Sequence, residues 1–236
     1  MTAYLTQLDD TLMFPAPDEA LLEPNGLLAI GGDLSPSRLI NAYYSGIFPW
    51  FSPHQPILWW SPNPRGVLPT DSLYINRSLR KFIKKCPYHI TVNHAFMDVV
   101  RACAKPRQYS DETWISSDFM RAYEVLHSAG YAHSIEVWLN HELIGGLYGI
   151  TPGKIFCGES MFHIEPNASK VAMVALCQHL QTFNAPLIDC QMQNQYLSTM
   201  GIQEWPREKF LTSLYQLREL SFPENCWQPQ EISLKS

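Results

Sequence analysis

The sequence lacks the features that would place it in several large functional classes. Its six cysteines stand singly, without a Cys-x-x-Cys pair, so neither a zinc site nor a disulfide framework is expected. No apolar run approaches the roughly 20 residues of a membrane span, and the opening segment lacks the basic and apolar regions of a signal peptide. We therefore expect a cytoplasmic protein without a bound metal ion or a membrane segment.

Charge is also sparse. Lys, Arg, Asp and Glu make up 17% of the 236 residues, and the formal net charge is −5. This balance argues against a surface coated in nucleic-acid-binding charge, but it is compatible with a local basic patch, because binding responds to the local field. With 46% hydrophobic residues, the chain can form one large or two modest domains.

The first 65 residues are irregular and rich in proline and aromatic residues. Ser35 followed by Pro36 is typical of a helix N-terminus and predicts a short helix through Tyr43. The remaining prolines interrupt longer elements. We predict a small N-terminal domain over residues 1–65, held together by aromatic packing, and a second domain over residues 66–236.

Regular patterning begins in the second domain. Helical periodicity is expected in SLRKFIKK, NHAFMDVVRACAK, SSDFMRAYEVLHSAG and REKFLTSLYQLREL. The segments HSIEVWL, LIGGLYGI and KIFCGESMF are joined by the turn-like NHE and TPG, which predicts an antiparallel meander. Asn167 is expected to cap a helix that precedes the strand PLIDCQMQ. This strand–helix–strand order predicts a right-handed crossover between parallel strands, so the fold class is α+β with a mixed sheet.

The crossover also predicts where a site should lie. Ligands of open α/β sheets bind at the carboxyl ends of parallel strands. Glu159 lies late in the first of these strands and Asp189 late in the second. Strict alternation places Asp189, Gln191 and Gln193 on one face of their strand. A site built from acid and amide side chains is therefore expected at this edge.

The segment KIFCGESMF allows three interpretations. A nucleophile elbow starting at Gly158 would need a second glycine four residues later and a sharp turn, whereas Phe162 stands there and the strand pattern continues. Cys157 has no adjacent base and is typical of a small buried hydrophobe. Carboxylates at Glu159 and Asp189 are costly to bury unless paired or protonated, so each is either a structural ion pair or a functional group. We favour the carboxylates as the functional groups.

Six blocks that span nearly the whole chain carry a family resemblance. They are EPNGLLAIGGDLSPSRL (23–39), GIFPWFSPHQPILWWSPNPR (46–65), HSIEVW (133–138), FCGESMF (156–162), NASK (167–170) and LIDCQMQN (187–194). Together they resemble the leucyl/phenylalanyl-tRNA–protein transferase family. The resemblance implies a small N-terminal domain followed by a GNAT-like (acetyltransferase-like) C-terminal domain. It also implies transfer of leucine or phenylalanine, without a cofactor, from aminoacyl-tRNA to proteins beginning with Arg or Lys. The transfer marks these proteins for N-end-rule degradation.

For the reaction that the resemblance implies, we assign roles to individual residues. Asp189 would polarise Gln191 or attract the acceptor amine, Gln191 would orient that amine or help to move its proton, and Glu159 would hold the donor's amino group or complete the network. The expected apolar slot for the donor side chain consists of Leu147, Phe156 and Ile188, with ordinary core packing as the alternative for each. Because such a slot selects by shape, it would also tolerate methionine. Further substrate contacts are expected from Trp50, Trp114, Ser160 and Asn194, with the two tryptophans around the terminal adenosine of the tRNA. Packing within the small domain is an equally good explanation for Trp50 alone.

A basic segment at residues 76–85 is the candidate contact for the rest of the tRNA. Its cationic residues recur at helical spacing on one side: Arg77, Arg80, Lys81, Lys84 and Lys85. A short basic run by itself is more often a solvated face. With a tRNA substrate implied, we expect salt-dependent contacts to phosphates.

Two other function classes fit parts of the sequence. An acyl-CoA-dependent N-acetyltransferase would need a glycine-rich pyrophosphate loop before the crossover helix, where this chain has FHIEPNASKVA with the acidic Glu165. A non-catalytic adaptor for tRNA or basic N-termini would keep the basic segment but would not need the acid and amide groups.

Overall fold

The computed structural model of the chain describes residues 5–105 and 113–235. A small four-stranded sheet with strand order β1-β2-β4-β3 forms the N-terminal part. Its strands are β1 (Thr6–Leu8), β2 (Leu27–Gly31), β3 (Phe48–Pro49) and β4 (Leu58–Trp60). Only β1 and β2 run parallel among the pairs of this sheet within the described residues.

Helix α1 (Pro36–Tyr44) packs against this small sheet. Its start follows the sequence prediction, because the Ser35 side chain accepts a hydrogen bond from the Arg38 backbone N–H and Pro36 occupies the first turn. The buried side of the helix includes Leu39 and Tyr43. Tyr43 therefore points from the small sheet toward the larger one.

A mixed sheet of eight strands forms the rest of the fold, in the order β11-β5-β10-β9-β8-β7-β6-β12. Its strands are β5 (Arg65–Pro69), β6 (His89–Val92), β7 (Ala132–Leu139), β8 (Glu142–Ile150), β9 (Ile155–His163), β10 (Leu187–Gln191), β11 (Gln203–Trp205) and β12 (Gln230–Glu231). The helices are α2 (Arg77–Ile83), α3 (Phe96–Cys103), α4 (Ser117–Ser128), α5 (Ala168–Thr182), α6 (Gln195–Ser198) and α7 (Arg207–Leu217). Among the described pairs of this sheet only β9 and β10 are parallel, and α5 connects them.

The predicted meander and crossover are confirmed. Strands β7, β8 and β9 pair antiparallel in sequence order. The β7–β8 turn has Asn140 at φ 50° and His141 at φ 67°, the left-handed pair that a tight two-residue hairpin requires. Asn167 occupies the predicted N-cap position of α5, but its φ of 66° is left-handed and its side chain accepts no hydrogen bond from the first turn. Helix α5 begins at the next residue.

The two faces of the large sheet are covered by different layers. Helix α5 packs on one face, against Leu147 and Phe156 among others. Helices α3 and α4 and the small sheet cover the other face, where Trp59 and Tyr43 share one core with Tyr123. The fold is therefore α+β, as expected, with a small N-terminal sheet followed by a larger part built on a mixed sheet. Among the described helices, none has the length and apolar character needed to cross a bilayer.

The change from the small to the large sheet falls between Trp60 and Arg65. Arg65, the last residue of the N-terminal range expected from sequence, is the first residue of β5. The terminal residues 1–4 and 236 of the two expected ranges, and residues 106–112 within the second, lie outside the described part of the chain.

Candidate active site

The site lies where the parallel strands β9 and β10 separate. Their pairing ends at Cys157 and Asp189. Each strand also carries a β-bulge at this point. The β8–β9 register passes from Ser160 to Gly158 and leaves Glu159 as the extra residue. A bulge redirects side chains and interrupts pairing, so Glu159 can face the gap between the strands.

The second bulge lies on β10, opposite β5. The register passes from Asp189 directly to Gln191, which has a left-handed φ of 62°. Strict alternation therefore fails here. The prediction that Asp189, Gln191 and Gln193 share one face of a regular strand is wrong, because the bulge reorients the chain after Asp189.

Glu159 accepts hydrogen bonds from residues that are far apart in sequence. The Tyr43 hydroxyl donates to Oε1 at 2.5 Å, and the Gln191 amide Nε2 donates to the same oxygen at 3.1 Å. Burial raises the pKa of the Glu159 carboxyl to about 7, and the hydrogen bonds from Tyr43 and Gln191 limit that rise. Both protonation states are therefore populated near neutral pH.

Two tyrosines support this carboxyl from the side of the small domain. The Tyr43 and Tyr123 hydroxyl oxygens lie 2.7 Å apart. Burial raises the pKa of both phenols well above the ordinary value, and the Glu159 charge adds to the rise. Both phenols therefore remain neutral, and the pair can supply a hydrogen bond to Glu159 throughout the physiological pH range.

Asp189 is buried next to the site, and its side chain is not part of the site's surface. Its carboxylate is fully buried and forms a bidentate ion pair with Arg65, with Nε–Oδ1 2.8 Å and Nη2–Oδ2 2.7 Å. Oδ1 also accepts the Gln191 backbone N–H at 2.9 Å. Direct attraction of an acceptor amine, one of the two roles expected for Asp189, does not fit this burial. The other role, acting through Gln191, fits the geometry.

Several contacts besides the ion pair fix the position of the Arg65 guanidinium. Its Nη1 donates to the Gly46 carbonyl at 3.1 Å, and its guanidinium lies 4.8 Å and 4.6 Å from the ring centroids of Phe48 and Phe210. Pairing, hydrogen bonding and aromatic packing together satisfy a charge that is costly to bury. Arg65 and Asp189 thus fix the backbone that presents Gln191.

The neighbouring thiol is inert. Cys157 is buried, and burial, followed by the Asp189 charge, raises the pKa of its thiol well above the ordinary value. Strand β9 continues through Ser160 to His163 without the strand-to-helix turn of a nucleophile elbow. The carboxylate interpretation of this segment is the one that the geometry favours.

A cleft of about 1070 Å³ opens at this point. Among its lining residues are most of the candidates chosen from the sequence: Trp50, Trp114, Leu147, Phe156, Glu159, Ser160, Ile188, Gln191 and Asn194. Asp189 does not line it. Three residues that the sequence did not indicate, Met161, Met173 and Leu176, extend the apolar part of the wall.

The polar and aromatic candidates differ in how they meet the cleft. Trp50 is 43% exposed, and its ring centroid lies 5.8 Å from that of Trp60. Trp114 packs edge-on against Phe119 at 5.0 Å. The Asn194 side-chain oxygen accepts the Leu197 N–H at 2.8 Å and so caps α6. This gives Asn194 a structural task in addition to its place in the cleft.

The basic segment forms α2 and the turn after it. Its five cationic residues are exposed, whereas Leu79 is buried on the opposite side of the helix. None of the five forms an ion pair with a residue in the described ranges. Arg77, Arg80, Lys81, Lys84 and Lys85 therefore present a continuous positive surface.

Sequence reasoning missed Tyr43, Tyr123 and Arg65. The pattern around Tyr43 indicated only a helix, and Tyr123 looked like one more apolar position of α4. Arg65 is the last residue of a proline-rich block, and the sequence does not indicate an acidic partner for it. Each of them contacts site residues that belong to other secondary-structure elements, and a single sequence contains no signal for such contacts.

The comparisons with known proteins agree on one family. A family model described as leucyl/phenylalanyl-tRNA protein transferase matches residues 67–215, and a model of that family's N-terminal domain matches residues 32–63. The leucyl/phenylalanyl-tRNA–protein transferase of Tolumonas auensis is 69% identical over 99% of this chain and 100% of the relative. The enzyme of the same name from Aeromonas hydrophila is 57% identical over 99% of this chain and 100% of the relative.

Solved structures give weaker similarities. L-PGS from Bacillus licheniformis has a TM-score of 0.39 at 9% identity, covering 71% of this chain and 54% of that one. The C-terminal domain of a putative lysylphosphatidylglycerol synthetase from Agrobacterium fabrum has a TM-score of 0.38 at 10% identity, covering 86% and 66%. At these scores neither likeness supports a further conclusion.

The family matches define the class of protein first. The chain is an aminoacyltransferase that moves an aminoacyl group from tRNA to proteins. More particularly, it belongs to the leucyl/phenylalanyl-tRNA–protein transferase family. The adaptor class considered above is therefore wrong, and the acetyltransferase class has no support from these relatives.

Proposed function

We propose that the protein transfers leucine, phenylalanine or methionine from aminoacyl-tRNA to the N-terminal amine of proteins beginning with Arg or Lys. The product would be marked for N-end-rule degradation, and the reaction would take place in the cytoplasm, consistent with cysteines that form no disulfide within the described residues. The observation that carries the proposal is Glu159, a carboxyl with a pKa of about 7 in the cleft, bonded to Gln191.

The reaction itself requires little chemical assistance. The acceptor nitrogen attacks the ester carbonyl of the donor, a C–N bond forms, and the C–O bond to the ribose breaks. One proton leaves the nitrogen and one is taken up by the ribose oxygen. The donor ester is already activated, so alignment, handling of that proton and stabilisation of the developing oxyanion are what the site must supply.

Gln191 and Glu159 are suited to the first two tasks. Because Gln191 Nε2 donates to Glu159, its amide oxygen is the atom available to accept an N–H from the incoming amine. Glu159 has a pKa of about 7, close to the unperturbed α-amino value of roughly 8. A base matched in this way can take the proton at neutral pH and release it afterwards. Asp189 acts indirectly by holding the Gln191 backbone.

The same carboxylate supports the proposed acceptor preference. An Arg or Lys at the acceptor N-terminus brings a second positive charge beside the reacting amine. When Glu159 is ionised, it attracts both charges, and burial makes this attraction stronger than at an exposed site. A neutral or acidic first residue would lose that contribution.

The apolar wall supports the proposed donor side chains. Leu147, Phe156 and Ile188 are each at most 3% exposed and line the cleft beside Met161 and Met173. A slot of this kind selects by size, and one methylene changes binding by only about 1–3 kcal/mol. Methionine side chains adapt their shape, so acceptance of leucine, phenylalanine and methionine by one slot is expected.

The tRNA would be held at two places. Trp50 and Trp114 line the cleft and can stack on the terminal adenosine, a contact worth about 1–3 kcal/mol per base. The basic segment on α2 would contact phosphates of the double-stranded part. Such contacts are salt-dependent and carry no sequence information.

A transfer assay tests the proposed function. Purified protein is mixed with radiolabelled Leu-tRNA and either of two peptides that differ only in their first residue, Arg or Glu. Label should appear on the Arg peptide, should be lost after RNase treatment of the donor, and should be at least about tenfold weaker on the Glu peptide. Equal labelling of both peptides would contradict the acceptor preference, and no labelling of either would contradict the proposed function.

A further inference from the structure

A second aromatic surface lines the cleft in addition to the two tryptophans. It consists of His163, Ser169, Lys170 and Tyr196, and is called the Tyr196 rim below. Tyr196 is 38% exposed. Its hydroxyl lies 3.1 Å from Ser169 Oγ, which in turn lies 3.4 Å from His163 Nδ1. Because Ser169 is buried, the exposed ring is anchored at its hydroxyl end.

The Tyr196 rim also carries a positive charge. Lys170 Nζ lies 5.9 Å from the centroid of the Tyr196 ring, at the outer limit of a cation–π contact. Three of the four rim residues, His163, Ser169 and Tyr196, line the same cleft as Glu159. An aromatic face and a cation therefore stand together at the edge of the site.

This rim lies on the side of the molecule that carries the basic segment. The Tyr88 hydroxyl donates to the Pro166 carbonyl at 3.0 Å, four residues before Lys170. The Tyr88 ring lies 5.4 Å from the ring of Phe82 in α2. The positive surface of α2 and the Tyr196 rim are thus linked through one aromatic contact and one hydrogen bond.

We propose that the Tyr196 rim binds the nucleotide that precedes the terminal adenosine of the donor, with its base stacked on Tyr196 and its phosphate near Lys170. The inference rests on the proposed function and adds a second nucleotide subsite to it. Single-stranded nucleic acid is commonly held by an aromatic side chain for the base and a nearby cation for the backbone. The terminal adenosine, at Trp50 and Trp114, would occupy the other subsite.

Donors of graded length test the subsite. Leucine is esterified to adenosine, to the dinucleotide cytidylyl-adenosine and to full tRNA, and kcat/KM is measured for each with an Arg-initiated peptide. In the unsubstituted protein the dinucleotide should be the better of the two small donors. Tyr196→Ala should lower the ratio of kcat/KM for dinucleotide to mononucleoside donor at least about fivefold. Tyr196→Phe, which keeps the stacking face, should hold that ratio within about twofold.

Two further variants make the test specific. Lys170→Gln should reduce the slope of log KM against log salt for the full tRNA donor by about one unit. Tyr215→Ala is the matched control, because Tyr215 is 39% exposed with Arg218 4.4 Å from its ring but lies on α7, outside the cleft lining. It should leave the donor ratio as it is.

Three results would overturn the subsite. The first is a Tyr196→Ala variant with the same donor ratio and the same kcat/KM values as the unsubstituted protein. The second is a loss of kcat/KM in that variant that is equal for all three donors. The third is a rise in the KM of the acceptor peptide, which would assign the rim to the protein substrate. Failure of the proposed function is distinguishable, because then the unsubstituted protein would transfer leucine from none of the donors. Thermal unfolding of each variant shows whether its fold is intact.

Discussion

The hydroxyl of Tyr43 lies 2.5 Å from Oε1 of Glu159, across 116 residues of sequence. The tyrosine belongs to the helix of the small domain and the glutamate to a bulge in the large sheet. The small domain therefore takes part in the electrostatics of the proposed catalytic carboxyl as well as in packing.

Replacing Tyr43 by Phe should change the pH dependence of the reaction. The hydrogen bond from Tyr43 lowers the Glu159 pKa, so its loss should raise that pKa above about 7 and move the acidic limb of the kcat/KM profile to higher pH. At pH 7 we expect a loss of roughly tenfold, the value of one hydrogen bond to a charged group. A pH–rate profile measures both effects.

Tyr44→Phe is the control for this prediction. Tyr44 is the next residue of the same helix but does not line the catalytic cleft. Its profile should match that of the unsubstituted protein. A Tyr43→Phe enzyme whose activity fell by the same factor at every pH would show that the hydroxyl acts through structure and not through the Glu159 charge.

The raised pKa of Glu159 also predicts how stability changes with pH. The pKa of the carboxyl is about 7 in the folded protein against an ordinary value of 4.5, so the folded state binds more protons than the unfolded state between these values. Stability should therefore fall as pH rises from about 4.5 to 7, by at most about 3 kcal/mol from this group.

Urea unfolding at pH 5 and pH 8 measures that contribution. Glu159→Gln removes the titrating group, so the variant should lose less stability between the two pH values than the unsubstituted protein. Glu124→Gln, at an exposed position of α4, should retain the full dependence. Parallel pH curves for the protein and Glu159→Gln would show that Glu159 does not titrate in this range.

Breaking the buried Arg65–Asp189 pair should cost both stability and activity. Arg65→Met leaves an uncompensated carboxylate in the interior, a change worth about 3–5 kcal/mol. Activity should fall as well, although Arg65 does not line the cleft, because the pair fixes Gln191. Chemical denaturation and kcat measured on the same preparation give the two readouts.

An exposed ion pair provides the comparison. Arg101 and Asp98 form a bridge with side chains 60% and 63% exposed, so Arg101→Met should cost no more than about 1 kcal/mol. In the double variant Arg65→Met/Asp189→Leu, part of the stability should return without full activity. Full recovery of kcat would mean that the Asp189 bond to the Gln191 backbone has no role in the reaction.

The buried thiol of Cys157 should be dispensable. Its side chain is 1% exposed with a raised pKa, so iodoacetamide at pH 8 should label Cys86, which is partly exposed, before Cys157. Cys157→Ala should keep more than about half of the activity, since thiols with raised pKa make poor nucleophiles. Mass spectrometry of the labelled protein and a rate measurement provide the check. A loss of rate as large as that of Glu159→Ala would contradict the proposed chemistry.

Removing charge from the basic segment should weaken tRNA binding in a salt-dependent way. Lys81→Gln and Lys84→Gln should each reduce the slope of log affinity against log salt by about one unit. Lys235→Gln, at an exposed position far along the chain, is the control. Filter binding at several salt concentrations measures the slope. Unchanged slopes would show that α2 does not contact the phosphates of the tRNA.

The sequence predicted those parts of the fold that depend on local pattern. Ser35 and Pro36 marked the start of α1, and the alternating segments around NHE and TPG marked the meander. These signals are local because a cap, a turn and an alternation each depend on a few neighbouring residues. The parallel pairing of β9 and β10 followed from the strand–helix–strand order, because a helix between two strands is the usual crossover connection of a parallel pair.

The parts that escaped prediction depend on register and on distant contacts. Glu159 and Gln191 were identified from their place at the strand ends, but their orientation depends on two bulges that no local pattern announces. Asp189 was expected in the cleft because alternation predicts it. Its partner Arg65 lies 124 residues away, and a buried charge can be assigned to pairing only when that partner is known.

The placement of β5 in the sheet has a consequence for biosynthesis. This strand pairs with β10 on one edge and β11 on the other, and both are made more than a hundred residues later. Until they emerge from the ribosome, β5 has no edge to join, and Arg65 has no carboxylate to neutralise it. Contacts this distant in sequence form late in folding, so the proposed catalytic centre is among the last features of the nascent chain to assemble.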